Sequence, residues 1–150
     1  MNRHELREQT FLMLFGMGFH KEDKEEALQR YLDDTCEYEL SDAERSEVMN
    51  RVLRIDAVRE ELDRRIDAVS QGWKTDRMGK PELNLLRLAL YEMLYDETVP
   101  VKVSINEAVE LAKLYGEADA PGFINGILAR LVETAGPKTA ARSEKRLEAE

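Results

Sequence analysis

An all-α fold, built as one compact domain of about seven helices, is what this sequence predicts. Three observations carry the prediction. Residues 81–95, PELNLLRLALYEMLY, are the longest densely apolar run in a chain that is 35% charged, and their leucines fall on nearly every side of a helix, the pattern of a helix buried all round. Residues 41–70 repeat apolar positions at helical spacing with charged residues between them. No stretch alternates apolar and polar residues with the period of a half-buried strand. With 150 residues and 43% apolar composition, the chain has the material for an ordinary globular core.

In chain order, Asn2 is placed to cap a first helix running to about residue 19, with Phe11, Leu12, Leu14, Phe15 and Phe19 as its apolar members. At ~100° per residue, Arg3, His4 and Arg7 fall on the same general side as Phe11, Leu14 and Phe15. Gly16 and Gly18 loosen the end of this helix, and residues 20–23 form a polar connection. A short helix over residues 24–34 puts Ala27, Leu28, Tyr31 and Leu32 on one side, and His20 and Tyr31 read as structural residues. Ser41 and Glu44 have capping-box spacing. They open the amphipathic stretch Val48, Val52, Ile55, Val58, Leu62, Ile66 and Val69, read as one long helix or two with a bend near Asp56, its stripe packed on the central helix. Residues 71–73 end it, and Trp73 is expected as a core plug between helices, because a large indole gains most from burial.

Residues 74–78 suit a short turn of helix broken by Gly79. Pro81 fits the first helical position of the central helix, and Glu82 its first turn. At ~22 Å that helix is too short to span a bilayer, and Arg87 and Glu92 interrupt it. After a polar turn at residues 96–98, a helix over residues 101–115 carries Val103, Ala108, Val109, Leu111, Ala112 and Leu114, with Gly116 as its cap. Asp119, Ala120 and Pro121 lead into a last helix with Phe123, Ile124, Ile127, Leu128, Leu131 and Val132, stopped by Gly136 and Pro137. The expected organisation is a helical domain over residues 1–136 and a flexible charged tail over residues 137–150, too poor in bulky apolar residues for a core.

The net charge of −9 is unevenly placed. The excess acid is concentrated in residues 21–70 and both ends are near neutral or weakly basic, so a polyanion is expected only at the ends or at a local basic patch. Solubility accounts for most of the remaining acidic residues. The single Cys36 excludes an internal disulfide. His4 and His20 lack HExxH or CxxC company, so no metal site is expected, and without a P-loop, GxSxG or GxGxxG string neither an enzyme nor a bound cofactor is expected. No apolar run follows a basic start, which points to a cytoplasmic protein with no membrane partner. Arg3 and Arg7, spaced i, i+4 at the positive end of a helix, suit neighbouring phosphates. They equally suit pairing with Glu5 or Glu8, as surface charges commonly do.

More is carried by two longer strings. RLALYEMLYDETVPVKVSINEAVELAKLYG, residues 87–116, followed by PGFINGILARL, residues 121–131, resembles the C-terminal half of the NusB family of bacterial transcription antitermination factors. Leu86, Arg87, Tyr91, Glu92, Val99, Pro100, residues 105–113, Tyr115, Gly116, Phe123, Asn125, Gly126 and Leu128 match the family pattern in order. The resemblance extends back through Trp73 and more weakly to REQTFLMLF at residues 7–15, covering about residues 2–135. Several ordered blocks at fitting separations make it specific.

The resemblance implies a compact fold of two helical bundles. It also implies a task without bond-making: binding boxA-like single-stranded RNA with a NusE-like small-subunit ribosomal protein, inside an RNA polymerase antitermination complex that reads through terminators in ribosomal RNA operons. Carried over by residue, Arg3, His4 and Arg7 stand where the family has its arginine-rich start, with Glu5 at another position often basic in relatives. Phe123, Asn125 and Gly126 form the second part of the implied RNA surface: Phe123 to stack on a base, Asn125 to read a base edge, Gly126 to permit close approach. Read singly, they equally suit a core phenylalanine, a structural asparagine and a helix-packing glycine. Glu82 and Asp119 match acidic positions near the family's partner and RNA surfaces, and Glu82 is assigned to the NusE-like partner. Glu92, Asn106 and Glu107 are expected to brace helices internally. The alternatives are a NusB-like accessory domain related to ribosomal RNA cytosine methyltransferases, or a helical protein-interaction adaptor without RNA binding. A homodimer hiding the RNA surface is also compatible with the sequence.

Overall fold

Asn2 starts the first helix in the way its amide suggests. The Glu5 backbone N–H donates to Asn2 Oδ1 at 2.8 Å, and the Asn2 backbone N–H donates to Glu5 Oε2 at 3.2 Å, a reciprocal cap satisfying two helix-end donors at once. Glu5, acidic where a basic residue was expected from the family pattern, therefore has a local task. The computed structural model describes residues 2–17, 23–34, 36 and 39–134. Among them are seven α-helices and a 3-10 turn, with no strand: α1 (Arg3–Met17), α2 (Lys24–Asp34), α3 (Asp42–Ala57), α4 (Arg59–Val69), the turn Thr75–Arg77, α5 (Lys80–Tyr95), α6 (Val101–Tyr115) and α7 (Ala120–Thr134). The expectations for Gly18, Phe19 and His20, for Gly136 and Pro137, and for the tail lie outside these residues. No helix among them is long and apolar enough to cross a membrane.

The amphipathic stretch is two helices. Val58 closes α3, and the chain divides into two compact units between Val58 and Arg59. In the first unit, α1 packs on α2 and α3 around Phe11, Met13, Leu14, Leu28, Leu32, Val48, Val52 and Ile55. Within this unit the stripe of α3 serves α1 and α2. Asp23 caps α2 by accepting from the N–H groups of Glu25 and Glu26 at 2.9 and 3.2 Å. The Tyr31 hydroxyl donates to the buried Gln9 side chain at 2.7 Å, and Lys24 pairs with Asp56.

The capping box at Ser41 is complete. The Glu44 N–H donates to Ser41 Oγ at 3.2 Å, and the Ser41 N–H donates to Glu44 Oε1 at 3.0 Å. Ser41→Ala is expected to destabilise the protein by about 1 kcal/mol, read as a lower urea midpoint at unchanged slope. An unchanged midpoint would show that the box adds nothing beyond water.

In the second unit α5 is central. It packs on α4, α6 and α7, with Leu83, Leu85, Leu86, Leu88, Ala89, Leu90 and Met93 buried, while α4 supplies Leu62, Ile66 and Val69. The charge in the middle of the run is answered by a two-pronged pair: Arg87 Nε and Nη2 donate to Asp63 Oδ1 and Oδ2, each at 2.8 Å. At the far end the Tyr95 hydroxyl contacts both Glu61 carboxylate oxygens, at 2.9 and 3.0 Å. Partial burial, and then the Glu61 carboxylate, push the Tyr95 phenol above its usual range, since both disfavour the phenolate.

Candidate functional site

The site grows from the turn that ends α4. Gln71 and Gly72 have positive φ, 43° and 95°, which turns the chain sharply. Asp67, in the last turn of α4, then ties the next segment down. The Thr75 N–H donates to Asp67 Oδ1 at 2.7 Å, Thr75 Oγ1 lies 3.2 Å from Asp67 Oδ2, and Lys74 Nζ donates to the Asp67 carbonyl at 3.1 Å. Held on this anchored turn, Trp73 is 59% exposed. The core-plug expectation is therefore corrected: the flanking backbone turns the indole outward, and Leu62, Ile66 and Val69 fill the α4 side of the core.

Trp73 forms one wall of a cleft of about 360 Å³. Met78, Pro81, Tyr115, Ala120 and Phe123 line it as well, with Arg77, Glu82, Glu117 and Asp119 as its charged members. The cleft draws on the Trp73 turn, the start of α5, the end of α6 and the start of α7. Its polar side is the connection from α6 to α7. Gly116 closes α6 with its N–H on the Ala112 carbonyl at 2.9 Å and a φ of −98°. It is a glycine because of close approach: a Cβ there would lie 2.6 Å from Ala120 Cβ. The Asp119 carbonyl accepts from the Phe123 N–H at 3.2 Å, starting α7.

Glu82 is reassigned by this geometry. It is only 9% exposed, and its Oε1 accepts from the Glu117 N–H at 3.3 Å. The carboxylate expected to meet a protein partner is engaged in holding the α6–α7 connection, and a Cβ on Gly79 would run into it. Its bearing on a partner is through the loop it positions. Glu82→Ala is expected to speed amide hydrogen exchange at Glu117, whereas Glu82→Gln, which keeps an acceptor oxygen, should preserve protection. Equal exchange in both variants would contradict the brace.

The other expected site residues divide into groups. Phe123 is half-buried and faces the cleft, Asp119 is exposed on its edge, and Asn125 is exposed further along α7. A Cβ on Gly126, or on Gly122 one turn earlier, would meet nothing within 4 Å. Neither is a helix-packing glycine among the described residues, and Gly122, Asn125, Gly126 and Ala129 leave one face of α7 low and open to close approach. In the first unit Arg3 and His4 are exposed, but Arg7 is 8% exposed. Arg7 was expected as a phosphate contact at the start of the first helix; its burial means that truncating it also removes packing. Trp73 and Arg77 were not singled out as site residues from the sequence. The available signal was a lone tryptophan between Gln71-Gly72 and Lys74, polar company unlike that of a core position.

Comparison with known proteins gives the family and the fold. The NusB family model matches residues 4–133. The transcription antitermination protein NusB of Lachnoclostridium phytofermentans is 44% identical over 137 residues, covering 89% of this chain and all of the relative. That of Agathobacter rectalis is 42% identical over 130 residues, covering 87% of this chain and 98% of the relative. Among solved structures, T. maritima NusB superimposes with a TM-score of 0.79 at 31% identity, covering 89% of this chain and 92% of the other. The NusB of a crystal structure of antitermination factors NusB and NusE in complex with double-stranded RNA gives 0.75 at 24% identity, covering 88% and 96%; this last likeness concerns the fold. The resemblance carried by the LALYE, INEAVELAK and FINGIL strings and the two-unit helical fold lead to one assignment: the chain belongs to the NusB family.

Proposed function

We propose that this protein is a cytoplasmic transcription antitermination factor that acts by recognition and tethering, without making or breaking bonds. It binds boxA-like single-stranded RNA with a NusE-like ribosomal protein and, within an RNA polymerase antitermination complex, promotes read-through of terminators in ribosomal RNA operons. The observation that carries the reading is family membership across residues 4–133, joined to an open α7 face at Phe123, Asn125 and Gly126. In this reading Phe123 stacks on a base, Asn125 reads a base edge and Gly126 lets the strand come close. Arg3 and His4 meet phosphate at the start of α1, with Arg7 behind them. Asp119 and the loop that Glu82 braces stand where the partner and RNA surfaces meet, with Glu82 serving the partner through that loop.

The short basic start has a consequence. Each neutralised phosphate on a single strand contributes a slope of ~0.7 in log affinity against log salt, so the lone chain is expected to show a shallow salt dependence and to lean on its partner for affinity. The function is tested by terminator read-through in a reconstituted transcription reaction with the NusE-like protein. The expected result is read-through that requires both this chain and a boxA-like leader. Read-through independent of the leader would overturn the proposal in favour of a protein-interaction adaptor.

A further inference from the structure

The cleft beside Phe123 holds more aromatic surface than the proposed RNA contact uses. Trp73 is 59% exposed and Tyr115 37% exposed, and both line it together with Phe123. Exposed aromatics on a mobile loop would say little. Here the backbone that carries the indole is fastened to α4 by hydrogen bonds from Lys74 and Thr75 to Asp67, so the turn need not be ordered on binding, which lowers the entropic cost of association.

The charged members narrow the guest. Glu82 is occupied by the Glu117 N–H, leaving the Glu117 and Asp119 carboxylates as acceptors from the α6–α7 connection and the exposed Arg77 guanidinium as a cation from the Trp73 turn. Lys74 and Lys80, both exposed, flank Arg77 along the sequence. A cationic side chain from a protein partner would suit the carboxylates but would meet Arg77. A nucleobase suits all three: it is flat and uncharged, its faces stack on aromatic rings, its exocyclic amino group donates to a carboxylate, and its phosphates lie toward Arg77 and the lysines. A cleft of about 360 Å³ has room for a base where a narrow slot would not. It is continuous, through Phe123, with the open face of α7.

Building on the RNA-binding reading, we propose that Trp73, Tyr115 and Phe123 form a stacking cleft that takes one unpaired amino-bearing base of single-stranded RNA, with Glu117 and Asp119 favouring adenine, cytosine or guanine over uracil and Arg77 holding the adjoining phosphate. Trp73 sets this cleft apart from the contacts of α7 alone.

Trp73 is the chain's single tryptophan, so the native protein reports on its own cleft. A boxA-like oligoribonucleotide is titrated into the full chain with its NusE-like partner, reading indole emission and the anisotropy of labelled RNA together. The proposal expects quenched indole emission in step with the anisotropy, an affinity loss of about 5- to 150-fold in Trp73→Ala, retention of most affinity in Trp73→Phe, and weaker binding when the amino-bearing bases are replaced by uracil. Thermal melts of both variants separate a lost contact from a lost fold. A normal anisotropy change with unaltered indole emission and parental affinity in Trp73→Ala overturns the cleft and leaves the RNA reading standing. Absence of any anisotropy change overturns both. If Trp73→Ala weakens binding of the partner protein alone but not of RNA, the cleft belongs to the partner and the proposal fails.

Discussion

Leu86→Ala is expected to lower stability by about 2–5 kcal/mol, the range for truncating a fully buried leucine. Leu86 is 0% exposed in the middle of α5, with buried Leu85, Leu83 and Leu90 on the same helix and α4, α6 and α7 packed around it. With neighbours on every side already committed to packing, the site has little freedom to collapse into the space left. Thermal or urea unfolding measures the loss, and a variant that melts with the parent would refute the central placement of α5. The loss should appear without any RNA present, which separates it from effects on recognition.

Phe123→Ala is expected to do the reverse. Its ring is only half-buried at the start of α7 and faces the cleft, so truncation opens little internal space. If the ring stacks on a base, its removal should cost ~1–3 kcal/mol of binding, about 5- to 150-fold in affinity for boxA-like RNA. Anisotropy in the presence of the NusE-like partner measures this, and circular dichroism checks the fold. Parental affinity would return Phe123 to a packing role.

Much of the helical architecture was legible because its signals are local. Asn2 caps as its side chain suggests, Ser41 as its spacing to Glu44 suggests, and the leucines of α5 are buried as their all-round distribution implies. The capping role of Asp23 was not seen, although its side chain carries the same chemistry. What the periodicity could not decide was which partner each stripe meets. Val48 to Val69 reads as one continuous stripe, yet the break at Val58 gives α3 to one unit and α4 to the other, because helical spacing records that a face is apolar and not what covers it.

The site was less legible. Phe123, Asn125 and Gly126 came from resemblance to a family pattern, and residue type alone left each open to a packing role. Burial changed two expectations, one for Arg7 from charge and resemblance and one for Glu82 from resemblance alone: both looked like surface contacts, but the fold encloses Arg7 and turns Glu82 onto the Glu117 backbone. Trp73 erred in the opposite direction, since the general preference of indoles for burial is outweighed here by a left-handed turn at Gln71 and Gly72 that aims the chain outward.

The central claim is sequence-selective RNA recognition shared with a ribosomal partner, and its most direct test is fluorescence anisotropy of a boxA-like single-stranded RNA against a scrambled RNA of the same composition, with and without the NusE-like protein. Selective binding to the boxA-like RNA that tightens when the partner is added is the predicted result. Equal binding of the two RNAs in the partner's presence would contradict it.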